Sequence, residues 1–395
     1  NDGNPTGLTG SGTGSGRTVV TFPEPGNYRV MMENDKNSSF PLEGISFFAT
    51  SGDPLKLIEI QHWGKMKWVT MGFAFYDTEN LQITATDIPD VSNVTDMWGA
   101  FYNSGISTVP NMGDWDVSKV EYMGEMFAGA HNFNQPIDNW DVSSVTSMDN
   151  LFKDATAFNQ PLNSWNVSNV ENMSGMFENA ENFNQPIGSW NVSNVTDMSS
   201  MFYQAYAFNQ PIGDWDVSNV NNMSRMFCFA RNFDQDISGW DVSNVISINN
   251  MFWGAADFNQ PVGNWDVSSL ESMVGAFNYA SSFNQSLEGW NLKSLKHSNS
   301  SSYDIALAYC AMDCINYSRT LRAWAANPES PAGIVLEVTG MSYSPDVSAY
   351  RDFLINDLGW TITGDTEGNC SVGTSVSVYP VFADNTSVNV YPNPP

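Results

Sequence analysis

Positive charge is what this 395-residue chain has least of: 15 Lys and Arg stand against 43 Asp and Glu, a formal net charge of −28. A surface of that sign repels the phosphates of nucleic acids and of anionic lipids, so no nucleic acid is expected as a partner. Cysteine is scarce too. Cys228, Cys310, Cys314 and Cys370 are too few for a disulfide-built scaffold, though they allow one local staple in an oxidising compartment. The three histidines, His62, His131 and His297, lie far apart with no Cys or His at metal-ligand spacing, and read as ordinary surface or hydrogen-bonded side chains. No apolar run approaches the ~18 residues of a bilayer-crossing helix, so membrane insertion is not expected. The opening NDGNPTGLTGSGTGSG lacks a charged start followed by an apolar stretch. An exported protein would therefore have shed its signal upstream of this numbering. Gly-x-Ser-x-Gly, a phosphate-binding Gly loop and His-Glu-x-x-His are all missing. No catalytic residue and no metal ligand is nominated, and the chain reads as non-enzymatic.

What is present is repetition. Trp recurs at 115, 140, 165, 190, 215, 240, 265 and 290, a period of 25. A fixed period of that size marks a solenoid. Counting from Trp as zero, the copies usually carry Asp or Asn at +1, Val at +2, Ser at +3 and Val at +5. Met follows at +8, Met or Leu at +11, Phe at +12, Ala at +15 and Phe-Asn-Gln at +18 to +20. Weaker copies precede these, so about ten units of 25 to 26 residues run from about 63 to 297, with atypical ends as a capped stack requires. The apolar residues at +8, +11, +12 and +15 (Met198, Met201, Phe202 and Ala205 in one copy) follow the spacing of one helical face and predict a short helix per unit. With one short strand beside it, the unit is an α/β repeat, and the chain a leucine-rich-repeat-like right-handed solenoid.

The flanks differ from the repeats. Residues 1–16 are rich in Gly, Ser and Thr and read as a flexible linker. Residues 17–62 carry β-type runs broken by Pro and Gly and are expected to form an N-terminal β-rich cap. Residues 298–368 read as a C-terminal α/β cap, with a helix up to the Asn327-Pro328 stop. A strand in GIVLEVTG, an amphipathic helix opened by Asp346 and a last strand at TITG complete it. A polar tail, 369–395, follows.

The unit FNQPIGSWNVSNVTDMSSMF, the lead-in LIEIQHWGKMKW and the closing YRDFLINDLGWTITGDTEGNC resemble the BspA-like leucine-rich-repeat surface proteins, whose 25-residue variant was once a domain of unknown function. The resemblance covers roughly 57–370 and implies an exported, cell-surface protein of adhesive type. In that family a disulfide closes the C-terminal cap, which implies Cys314–Cys370 here. Cys228, at a variable position, is expected free, and Cys310 is left open. The last residues, Val390-Tyr391-Pro392-Asn393-Pro394, resemble the opening of a type A C-terminal sorting domain of the Bacteroidota type IX secretion system. That implies passage through the type IX translocon with its cargo-handling components, and a location outside the cell or on the outer-membrane surface.

Two readings of function follow. In one, a solenoid face binds an extracellular protein or a glycan; in the other, the chain is a passive spacer in a larger surface protein. If it binds, the ligand should meet residues that break the repeat, and Arg225, Phe229, Arg231 and Trp253 form such a cluster. The Trp column reads as core packing, with a sugar-stacking row as the alternative. The Asp column at +1 reads as turn-forming, since Asn166, Asn191 and Asn291 share it, with calcium as the alternative. The Asn-Gln columns at +19 and +20 are expected to close backbone hydrogen bonds along the stack.

Overall fold

The computed structural model describes residues 54–298 and 302–373. The Gly-rich linker, most of the expected N-terminal cap and the sorting-signal residues Tyr391, Pro392, Asn393 and Pro394 lie outside the described residues.

One coil shows how the repeat is built. The N–H groups of Met198, Ser200, Phe202 and Gln204 donate to the carbonyls of Asn222, Ser224, Met226 and Cys228 in the next coil, at 2.8–3.0 Å. The residues between them turn inward on their own chain: Met201, Tyr203 and Ala205 donate to Met198, Ser200 and Phe202. Alternate peptide planes therefore lie along the stack axis, each accepting from the coil before and donating to the coil after. The chain manages this by placing Ser200 and Gln204 in the left-handed region, at φ 57° and 56°.

This corrects the expected helix. No residue of the repeats is α-helical; the segment is a run of consecutive turns beside isolated parallel bridges such as Asn172↔Asp197 and Asp197↔Asn222. A helix would send each N–H to the carbonyl four residues back, and here half of those donors leave for the neighbouring coil. The inward spacing survives the change of conformation: Met198, Met201, Phe202 and Ala205 are all fully buried.

The core is two aromatic columns. Successive +12 rings stack at 5.6–5.7 Å from Phe152 to Phe252, and each lies 3.9–4.0 Å from the +18 ring of its own coil, as Phe202 does from Phe208. The Trp column closes one side, 2–4% exposed from Trp115 to Trp290. From Trp140 onward each indole N–H donates to the carbonyl three residues before the preceding Trp, as Trp190 does to Leu162 at 2.9 Å. Trp115 follows a 26-residue unit, and its indole nitrogen is buried without a partner. The +19 side chains form a second wire, in which each Oδ1 accepts the backbone N–H of its counterpart in the next coil. It runs from Asn134 through Asn159, Asn184, Asn209, Asp234 and Asn259 to Asn284. Gln at +20 donates to the same oxygens.

The ladder begins earlier than 63. Strand β1 (Glu59–Ile60) pairs in parallel with β2 (Gln82–Ile83), inside the stretch expected as N-terminal cap. At the other end Met273 bridges to Ile305, and the ladder passes into a true parallel sheet, β3 (Ile305–Ala306), β4 (Val335–Glu337) and β6 (Thr361–Thr363). Helices α1 (Cys314–Ala326) and α2 (Ser348–Asn356) pack on each other, and α1 also on β5 (Ser342–Tyr343), which pairs with β7 (Thr366–Glu367). Asp313 caps α1 by accepting from the Asn316 N–H, and its own N–H donates to Asn284 Oδ1, so the asparagine wire ends on a helix cap. Asp346 does not open α2: it lies in a 3-10 turn, Pro345–Val347, whose cap is Ser344. The helix expected before Asn327 starts only at Cys314, because residues 305–309 continue the ladder instead. Cys314 and Cys370 are joined, and Arg351 holds buried Asp365 through two bonds of 2.8 and 2.7 Å, with the Tyr317 hydroxyl donating to the same carboxylate.

Candidate ligand-binding face

The axial peptides set a row of side chains at +7, +9, +10, +13 and +14 on one face of every coil. In most coils the left-handed positions +10 and +14 hold residues that tolerate positive φ: Asn150, Gly175 and Asn250 at +10, Gly129, Asn179 and Gly254 at +14. One coil breaks that rule twice, with Arg225 at φ 59° and Phe229 at φ 58°. For a bulky side chain this conformation costs about 1–2 kcal/mol.

Each coil makes room for the one before it. The Phe229 ring lies over Gly254, where a Cβ would meet its Cδ1 at 2.5 Å. Trp253 and Asn250 converge in the same way on Gly275, where a Cβ would lie 2.9 Å from the indole Cε3 and 2.5 Å from Asn250 Oδ1. That oxygen is buried and accepts no hydrogen bond. Tyr203 meets Phe229 edge-on at 6.4 Å, while Trp253, Tyr279 and Tyr309 stack in series at 6.0 and 4.9 Å. Tyr279 and Tyr309 are half exposed. Beside this aromatic row runs a groove of about 490 Å³ lined by Ser, Asn, Arg225 and one Val, without a carboxylate.

Of the four residues expected from the sequence, the structure places Arg225, Phe229 and Trp253 on this face. Arg231 stands apart from the groove lining, its guanidinium 4.9 Å from the centre of the Tyr206 ring. Tyr203, Asn250, Gly275, Tyr279 and Tyr309 were not singled out by sequence. Asn250, Gly275, Tyr279 and Tyr309 are marked by left-handed backbone, which a list of residues does not display, and Tyr203 by its edge-on contact with Phe229.

Other reactive groups are committed elsewhere. Burial pushes the Cys228 thiol up to about 12 and the Cys310 thiol to about 11, so neither is a thiolate at neutral pH. Cys228 is free, as expected, and buried. His131 bonds through Nδ1 to the Asp154 carbonyl, and His297 to buried Asp304. The Asx residues at +1 close turns: Asp141, Asp216 and Asp266 accept from the N–H of Ser143, Ser218 and Ser268. Hydrogen bonds from those serines, side chain first and backbone second, hold the three carboxyls below their ordinary range. The Trp column is core, so it offers no row of rings to a sugar.

Comparison with known families gives three overlapping matches to the model described as "Mycoplasma protein of unknown function, DUF285", over residues 69–184, 95–214 and 205–308, together more than half of the chain. No curated protein matches. Two solved chains match. One is an internalin from Listeria monocytogenes, 10% identical, with 81% of this chain and 84% of that one covered at a TM-score of 0.21. A superposition of that quality does not establish a common fold.

Proposed function

The chain belongs to the DUF285 family of repeat proteins, and from that premise we propose that it is a non-enzymatic binding module displayed at a cell surface, with the ladder face between Tyr203 and Tyr309 as its binding surface. The observation that supports this reading is where the repeat is broken. The buried columns are nearly invariant, while the ladder face of one region carries four bulky residues in left-handed backbone, Arg225, Phe229, Tyr279 and Tyr309, the last two in a partly exposed aromatic row. Strain of that kind persists only where surrounding structure over-determines it, and it gathers at functional sites. Adhesion to an extracellular protein or glycan is the role that fits such a surface. Export through the type IX route, with calcium playing no part, belongs to the same proposal.

The test is binding of the whole chain to a glycan array and to intact cells, beside a variant with Phe229, Trp253 and Tyr279 changed to Asn, Ser and Gly. We expect binding by the native chain and at least a tenfold loss in the variant, with unchanged circular dichroism. Silence of the native chain in both formats would favour a passive spacer.

A further inference from the structure

We infer that the groove beside Arg225, Asn250 and Trp253 is a subsite for a carboxylate-bearing sugar within an otherwise neutral glycan. The inference rests on the binding reading above and names its ligand class.

Charge is the first argument. Of the chain's 43 acidic side chains none lines this groove, whereas a single guanidinium does. Asp197 stands behind the groove's Asn222, which donates to it at 3.3 Å. Among the described residues Arg225 has no carboxylate within ion-pair distance, a state it shares with Arg231, Arg319 and Arg322, and of these it is the one that lines the groove. An exposed, unpaired arginine is a fork for one carboxylate, which it can hold bidentately. The net charge of −28 works against a polyanion, so carboxylates must be sparse along the ligand.

Backbone cost is the second. The +10 column offers Gly175, Ser200, Asn250 and Gly275 as less strained alternatives; larger side chains occupy it at Phe73, Glu125 and Arg225, at φ 54°, 55° and 59°, and of these Arg225 is the one that lines the groove. Lining chemistry is the third. Ser199, Ser200, Asn222, Ser224 and Asn249 present hydroxyls and amides, the groups that match a hydroxyl-rich ligand. Asn250 Oδ1 is a buried acceptor without a donor beside the Trp253 indole. A rotation about its last torsion offers that oxygen to a ligand hydroxyl, and Val274 is the apolar side chain of the lining.

A peptide fits less well. Extended peptides gain affinity by adding to a free row of backbone N–H and C=O groups. On this face the axial peptides are spent on neighbouring coils.

The experiment is titration of the whole chain, by calorimetry or ligand-observed NMR, with sialyllactose and with a xylo-oligosaccharide bearing one glucuronate. Lactose, xylotriose and a glutamate-rich peptide serve as comparators. One of the two acidic sugars should bind at least tenfold tighter than its neutral counterpart. Arg225→Gly should lose about tenfold in that affinity, and Arg225→Lys should lose less. Because glycine relieves the left-handed position, Arg225→Gly should also melt about 2 °C higher than the native chain. A purely structural arginine would not couple lost affinity to gained stability. Equal binding of neutral and acidic sugars, unimpaired binding by Arg225→Gly, or capture of the peptide alone would overturn the inference. If the native chain binds cells or another array glycan but neither acidic sugar, the inference fails and the binding reading stands.

Discussion

Gly254 shows how little room a single residue has in this stack. It sits at φ +66°, and a Cβ there would meet the Phe229 ring at 2.5 Å. Gly254→Ala combines a left-handed alanine with displacement of a ring, so it should destabilise by about 2 kcal/mol. Phe229→Ala in the same chain should recover part of that loss. A double-mutant cycle by chemical denaturation checks the coupling, and additive effects would show that ring and glycine do not interact. Such positions explain what was legible in the sequence. The apolar columns, Trp as core and the hydrogen-bonding role of Asn-Gln could be read directly, because each repeats in nearly every copy. The conformation between them could not, because Met198, Met201, Phe202 and Ala205 point inward whether the segment is a helix or a train of turns. Only the small and amide residues at +10 and +14 hinted at the turns. At the candidate site, Arg225, Phe229 and Trp253 were visible as departures from the repeat. Asn250 and Gly275 were hidden because they are ordinary members of their columns.

At the scale of the turn, the Asx-Val-Ser corner makes stability depend on acid. Asp141, Asp216 and Asp266 have carboxyls lowered below the ordinary value by their serines. The unfolded chain binds those protons more readily, so the contribution is fully present above the unfolded value of about 3.9 and is lost as pH falls through the lower folded value. The carboxyls are largely exposed, so each effect is small. Replacing all three by Asn, which the chain already uses at 166, 191 and 291, should leave the melting temperature at pH 7 unchanged and flatten its fall below about pH 4. An unaltered acid slope would assign the loss to other carboxylates. In the C-terminal cap α1, β4, α2 and β6 were legible in kind and order, since their patterns are those of ordinary helices and strands, whereas the two-residue strands β3, β5 and β7 were not. The limits shifted where the ladder claimed residues 305–309 and where a 3-10 turn capped by Ser344 took Asp346 ahead of α2.

At the scale of the whole molecule, the closed fold and the proposed export signal occupy separate stretches of the chain. The cap closes through Cys314–Cys370, ahead of the residues that resemble a sorting signal. Deleting everything after Cys370 therefore keeps the staple and should leave a folded protein. If the type IX route applies, that protein should accumulate in the periplasm, as fractionation and immunoblotting would reveal; its appearance outside the cell would rule the route out. Finally, the axial peptides give the stack a head and a tail, because those from +8 to +14 point their N–H toward the later coil while the N–H at +6, as at Thr196 to Glu171, points back to the earlier one. A ladder with two unlike ends can in principle accept a second chain on its tail and grow into a filament, as head-to-tail contacts do when they fail to close. Here the tail is spent on β3, β4 and a β6 only three residues long. Short edge strands are poor templates for pairing. The C-terminal cap is thus a chain terminator, which keeps a self-templating surface finite.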